Sequence, residues 1–109
     1  MNTELKGVHL EISQRTRDYI DKKLPRLAFA EDLVTDLLLA ISREKSLYKV
    51  EATVNFRWGT STHIHVEGFK LTEGIDALFD KLEPKLEKEK NKLKDHRRKA
   101  PAPRAAEQG

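Results

Sequence analysis

Tyr48–Arg57 reads YKVEATVNFR. Tyr48, Val50, Ala52, Val54 and Phe56 alternate with Lys49, Glu51, Thr53, Asn55 and Arg57, apolar against polar. Side chains alternate across a strand, so this stretch is a strand with one face on a core and one in water. A sheet wet on one side needs helices on the other. Upstream, SREKS (42–46) turns the chain. Before it, Leu33, Thr35, Leu37, Leu39 and Ile41 alternate with Val34, Asp36, Leu38, Ala40 and Ser42. Both sets are rather apolar, which suits a central strand. Downstream, Trp58-Gly59 marks a hairpin turn. A fourth strand follows over about 60–67, with Thr62, Ile64 and Val66 inward and His63, His65 and Glu67 outward.

Toward the N-terminus, TELKGVHLEI (3–12) alternates weakly, predicting a first strand at 3–8 that runs on toward Ile12. Ser13 is a good N-cap for a helix over about 14–27, whose stripe is Thr16, Tyr19, Ile20, Leu24 and Leu27. Pro25 should end or bend it. AFAED (28–32) then reads as a short connection. The last helix is expected to start near Thr72 as N-cap, with Glu73 favourable in its first turn. The order is β-α-β-β-β-α. The fold class is α+β: a four-stranded antiparallel meander with two helices packed on one face.

The last helix, IDALFDKLEPKLEKEKNKLKDHRRK (75–99), is more than a cover. Ile75, Leu78, Phe79, Leu82, Leu86 and Leu93 form one apolar stripe. On a wheel of about 100° per residue, Lys81, Lys85, Lys88 and Lys92 gather on one flank of that stripe. Asp76, Asp80, Glu83 and Glu87 gather on the other. The basic edge spans about 16 Å, a length that suits a row of phosphates; a merely solvated helix more often mixes its signs as i,i+4 pairs. Helix one shows a second basic edge, with Arg15, Lys22, Lys23 and Arg26 set apart from Asp18 and Asp21.

Composition narrows the class. At 109 residues, 38% apolar and 36% charged, the chain suits one globular domain with a highly charged surface. The net charge of +3 is unevenly spread: residues 81–99 hold nine Lys/Arg against four Asp/Glu, and residues 1–80 eleven against thirteen. Without cysteine there is no disulfide or thiol chemistry, and a reducing, cytoplasmic setting fits. No export signal or membrane-spanning run is present. After His96, RRKAPAPRAAEQG lacks periodicity, so 97–109 is expected to be a disordered basic tail following a 1–96 domain.

No catalytic motif stands out: there is no P-loop, no G-x-S-x-G and no H-E-x-x-H. We expect no enzyme, no cofactor and no small-molecule substrate. His63 and His65 share a side of one strand, but no third ligand lies near and metal binding is not expected. Tyr48 and Phe56 read as core rather than as base-stacking platforms. Trp58 either caps its turn or stacks on a base or a protein. What survives is recognition of structured RNA through its backbone by basic helix edges.

The residues also resemble a known family. Gly7-x-His9-x-Glu11, Arg17-Asp18-Tyr19 with Lys23-Leu24, Ser42-x-Glu44-Lys45 and Glu51-Ala52-Thr53 carry the likeness, with Ile75-Asp76-Ala77-Leu78 running through Asp80-Lys81-Leu82 to Lys90-x-Lys92-Leu93-Lys94. In this order over 3–96 the chain resembles the short bacterial hibernation-promoting factors, the ribosome-associated inhibitor A (protein Y) family, also labelled sigma-54 modulation proteins. The resemblance implies a fold similar to double-stranded RNA-binding domains. It implies a site on the small ribosomal subunit and the 70S ribosome, against 16S rRNA in the channel for mRNA and tRNA, where such proteins silence translation under stress or in stationary phase.

By that resemblance the RNA-binding residues are Lys23, Arg26, Lys81, Lys88, Lys90, Lys92 and Lys94. Lys22 and Lys85 join them from the basic edges. Three departures stand out. Lys70-Leu71-Thr72 replaces the family's Asp-x-Tyr, and Pro84 falls inside the last helix, where it should divide it so that the second half projects toward RNA. The chain also ends without the dimerisation domain of long-form factors, so ribosome dimerisation of that style is not expected. Competing readings are a protein-interaction regulator, as the sigma-54 label implies, and a general double-stranded RNA-binding module.

Overall fold

The computed structural model describes the backbone of residues 1–98 and the side chains of residues 1–93. Four strands, β1 (Asn2–Val8), β2 (Val34–Glu44), β3 (Leu47–Phe56) and β4 (Ser61–Gly68), form one sheet in the order β1-β2-β3-β4. Two α-helices, α1 (Gln14–Lys23) and α2 (Leu71–Arg98), complete the expected β-α-β-β-β-α order. The meander holds for β2, β3 and β4, which pair antiparallel. It does not extend to β1, which lies parallel to β2 with Leu5 opposite Leu39. The helical segment between these strands carries the chain back to the end where β1 began. A strand that starts there and pairs with β1 has to run parallel to it.

Three local differences from the sequence reading have clear causes. β1 stops at Val8 instead of running toward Ile12. His9 adopts the left-handed region (φ 56), and a Cβ on Gly7 would lie 1.9 Å from the Leu10 carbonyl oxygen. The Gly7-x-His9 pattern is therefore a turn device: only glycine lets the chain fold back so tightly. Ser13 does cap α1, accepting from the Thr16 N–H at 3.2 Å, but α1 ends at Lys23. Pro25 opens a 3-10 helix, Leu24–Ala30, which takes in Arg26 and most of the stretch read as a connection. In β2 the register slips between Val34 and Asp36, leaving Thr35 as a bulge. That one extra residue switches the inward phase. Val34 is buried before it, and Leu37, Leu39 and Ile41 after it, which accounts for Val34 in the second alternating set; Leu38 and Ala40 of that set are only half-buried, in the opposite phase. The β2–β3 turn is only Lys45-Ser46, so residues 42–44 belong to the ladder.

The core lies between the sheet and the helical layer. From α2 it takes Ile75, Leu78, Phe79, Leu82 and Leu86, each 1% exposed or less, against Leu37, Leu39, Ile41, Val50 and Val54. Each such side chain contributes roughly 1.5–3 kcal/mol by leaving water. α2 lies over β3 and β4. The approach is close at Gly74, where a Cβ would meet Val50 Cγ2 at 2.8 Å. The helix starts at Leu71, one residue before Thr72, which therefore lies in the first turn rather than at the cap.

The expected division at Pro84 does not occur: α2 is continuous from Leu71 to Arg98. Leu82 and Leu86 are buried on either side of it, and Leu93 still packs on the core, so the second half does not leave the sheet as a separate arm. The wheel puts Pro84 on the exposed ridge opposite the core stripe, as its exposure confirms. A carbonyl left unpaired there turns to water, and a long helix naturally curves with its convex side to solvent. Arg97 and Arg98, read as tail, lie in the backbone of α2. The rest of the expected tail, 99–109, lies outside the described residues.

Candidate nucleic-acid interface

The two charged flanks of α2 meet different surroundings. The acidic flank faces α1 and the 3-10 helix. Asp76 Oδ1 accepts from Lys23 Nζ at 2.7 Å and from the Tyr19 hydroxyl at 2.7 Å. One turn on, Arg26 bridges Asp80 at 3.0 Å and Glu83 at 2.6 Å. The Glu83 contact is forked, with Arg26 Nε donating to the same carboxylate at 2.9 Å. This is a guanidinium geometry that lysine does not reproduce. These contacts hold the Asp76 carboxyl below its usual range, through Lys23 first and Tyr19 second. Asp76 in turn raises the Lys23 ammonium and the Tyr19 hydroxyl, while Glu83 and then Asp80 raise Arg26. Tyr19, placed in the apolar stripe by its spacing, uses its polar tip here and has the Lys23 ammonium 5.2 Å from its ring centroid.

Lys90 belongs to this same side. Its ammonium donates to the Phe29 carbonyl at 2.7 Å and lies 5.9 Å from the Phe29 ring centroid. It fastens the far end of the 3-10 helix to α2. Lys23, Arg26 and Lys90 are thus all engaged within the protein, although the sequence grouped them with the RNA-facing lysines. The complementarity was present in the sequence. Lys23 and Arg26, three apart, match Asp76, Asp80 and Glu83 at helical spacing. No local pattern says which distant flank a charge will meet.

The basic flank is different. Lys81, Lys88 and Lys92 are exposed and have no ion-pair partner among the described residues. Lys85 has one, Glu89, at 3.5 Å. Lys81 and Lys85, Lys85 and Lys88, and Lys88 and Lys92 are neighbours at three or four residues, and each such like-charge pair costs about 0.2–0.5 kcal/mol in a helix. Among the described residues the Lys85–Glu89 pair is the one contact that offsets this cost. Lys22 is exposed at the end of α1, with no ion pair among the described residues. The Lys94 side chain lies outside the described residues.

The outer sheet face offers no rival centre. His63 sits between the Thr53 hydroxyl and the Glu51 carboxylate, at 3.0 Å from each, and its ring lies 6.3 Å from that of His65. Among the described residues no group of three or more His, Cys, Asp or Glu is arranged to hold a metal ion, and no helix is long and apolar enough to cross a membrane. Tyr48 packs on the core with the Arg43 guanidinium 5.2 Å from its ring centroid, and Phe56 is buried.

Comparison with known proteins agrees with this architecture. The family model described as "Sigma 54 modulation protein / S30EA ribosomal protein" matches residues 3–94. A ribosome hibernation promoting factor of Pseudomonas putida is 36% identical over 92 residues, covering 84% of this chain and 89% of that protein. One from Escherichia coli K12 is 30% identical over 96 residues, 88% of this chain and 100% of its own length. Among solved structures, a ribosomal subunit interface protein from Coxiella burnetii superposes with a TM-score of 0.76 at 26% identity, covering 84% of this chain and 99% of that one. The N-terminal domain of Thermus thermophilus Protein Y gives 0.70 at 30% identity, covering 81% and 98%.

Proposed function

The chain belongs to the sigma 54 modulation protein / S30EA ribosomal protein family, and on that premise we propose that it is a ribosome hibernation factor. It binds the small ribosomal subunit, alone and within the 70S ribosome, against 16S rRNA in the mRNA and tRNA channel. It thereby holds translation idle under stress or in stationary phase. It works in the cytoplasm, by occupancy rather than by catalysis.

The observation that carries this reading is the row of Lys81, Lys85, Lys88 and Lys92. Four ammonium groups share one flank with a single carboxylate partner among the described residues, while Asp76, Asp80 and Glu83 on the opposite flank are paired by α1 and the 3-10 helix. An anionic surface with regularly spaced charges removes the repulsion and releases counterions. Lys22 adds a contact from the end of α1. Lys23, Arg26 and Lys90 serve the site indirectly, by fixing the helical layer that aims the row. Phosphate contacts of this kind position a protein without reading sequence, so specificity comes from the shape of the RNA channel.

Sucrose-gradient sedimentation with 30S and 70S particles tests the proposal. The wild-type chain should co-migrate with both, and the reversal K81E/K85E/K88E/K92E should release it. Co-migration unchanged by the reversal would remove the lysine row from the function. Binding to free duplex RNA as strong as to subunits would favour a general RNA module. A protein partner retained at salt that strips the ribosome would favour the regulator reading.

A further inference from the structure

Trp58 stands in the turn between β3 and β4, and its indole lies flat on Phe56, with ring centroids 4.9 Å apart and planes 8° from parallel. Phe56 is 5% exposed, whereas Trp58 keeps 42% of its surface in water. The buried ring fixes the exposed one. A tryptophan that merely capped the turn would place its apolar area under cover. Here the remaining surface opens on a hollow of about 300 Å³ shared with Glu89, Lys92 and Leu93 of α2. Glu89 is engaged by Lys85. The groups left to meet a ligand are a flat aromatic shelf, the Leu93 side chain and the Lys92 ammonium.

Lys92 is also the last lysine of the basic row. The row and the shelf are therefore one continuous surface. Phe69 and Val8, the other large hydrophobic side chains on the surface, lie on other segments, before α2 and at the end of β1. They do not extend the patch into the broad apolar area that a protein partner would cover. Gly59 follows Trp58 with φ 97, and nothing lies within 4 Å of where its Cβ would be, so the approach to the turn is open.

We propose that Trp58 and Lys92 form a subsite for one unpaired nucleobase of the bound RNA. The base stacks on the indole and its phosphate meets the Lys92 ammonium. The subsite is indifferent to base identity, because every base presents a π-face. It rests on the RNA-binding reading above and adds to it a contact with single-stranded RNA next to the phosphate row.

Trp58 is the chain's one tryptophan, so its fluorescence reports the subsite directly. The wild-type protein is titrated with small ribosomal subunits and with a single-stranded oligouridylate, while W58A, W58F and the quadruple lysine reversal are assayed for co-sedimentation. Circular dichroism melts serve as the folding control. The expected result is quenching of Trp58 by both ligands. W58A should bind subunits about tenfold more weakly, the size of one base stack, with an unchanged salt slope, and W58F should restore most of the loss. Binding by W58A equal to wild type, with Trp58 emission unmoved while the lysine reversal still releases the protein, overturns the subsite and leaves the hibernation reading intact. Failure of the wild type itself to co-sediment overturns both. Quenching by a ribosomal protein stripped of rRNA, and not by RNA, overturns the subsite in favour of a protein contact. If W58A melts at room temperature, the wild-type quenching and W58F decide alone.

Discussion

The two flanks of α2 carry similar numbers of charges and have opposite fates. Asp76, Asp80 and Glu83 of the acidic flank are spent inside the protein, on Lys23, Tyr19 and Arg26. Among the described residues the basic flank has one carboxylate partner for its four lysines. Segregated charge on a helix therefore does not mean two binding edges. One edge builds the molecule and the other is the one proposed above to meet RNA, and only the position of the neighbouring helix tells them apart. Net charge hides this, because the internal pairs cancel and the field at the exposed flank is stronger than +3 suggests.

The sharpest way to break the comparison is to reverse the basic flank. K81E/K85E/K88E/K92E should weaken binding to small subunits at least about 100-fold and lower the salt slope by about four, one for each phosphate contact. Its melting temperature should stay near that of the wild type, since the one contact these lysines make among the described residues is the partly exposed Lys85–Glu89 pair. A large drop in stability would show that the flank is structural after all.

Pro84 sits on the ridge between the flanks and tests whether both belong to one rod. Pro84→Ala restores a backbone donor in an already continuous helix. It should raise stability by about 1–3 kcal/mol in urea unfolding, with subunit affinity little changed. A loss of affinity would mean that the proline sets the aim of the lysines.

Lys90→Ala distinguishes a lysine of the inner flank from those of the outer one. It leaves the Phe29 carbonyl without its donor and should cost about 1–2 kcal/mol of stability. The salt slope of RNA binding should not move. A slope reduced by about one would return Lys90 to the phosphate row.

The smallest effect is in acid. Because Asp76 titrates below its ordinary value of about 4, the folded state gives up that proton more readily than the unfolded chain. Its contribution is complete above that value and fades as pH falls below it through the depressed folded value. Asp76→Asn should flatten the stability profile in that window. The change should be modest, because the Asp76 side chain is 45% exposed. An unchanged acid limb would show that the pair with Lys23 adds nothing measurable.

Much of this molecule is legible in its sequence, and the rest fails for identifiable reasons. The clean alternation from Tyr48 to Phe56 and the stripe from Ile75 to Leu86 give the sheet, its wet face and the covering helix, because both patterns are local. The parallel placement of β1 is not local: weak alternation over residues 3–8 carries no sign of its partner's direction. Gly7 and His9 were visible as a motif, but their purpose as a turn appears only when the Leu10 carbonyl is seen to occupy the space of a side chain. Pro84 was read by the rule for an isolated helix; packing on both sides overrides it. In the interface, the grouping of Lys81, Lys85, Lys88 and Lys92 follows from periodicity. That Lys23, Arg26 and Lys90 are engaged depends on contacts between residues more than fifty positions apart in the chain.

The place of α2 after all four strands has a consequence for the order of events in folding. Every strand pairs only with its neighbours in the chain, and the tight β2–β3 hairpin, with its short loop to close, can form early. The helical segment before β2 brings Ile20, Leu27 and Ala30 to the core, but the inner face over β3 and β4 stays uncovered until α2 arrives with Ile75, Leu78, Phe79, Leu82 and Leu86. The lysine row takes its geometry from that same docking event. A chain still being made, or one partly unfolded, therefore lacks the ordered lysine row that the finished molecule presents.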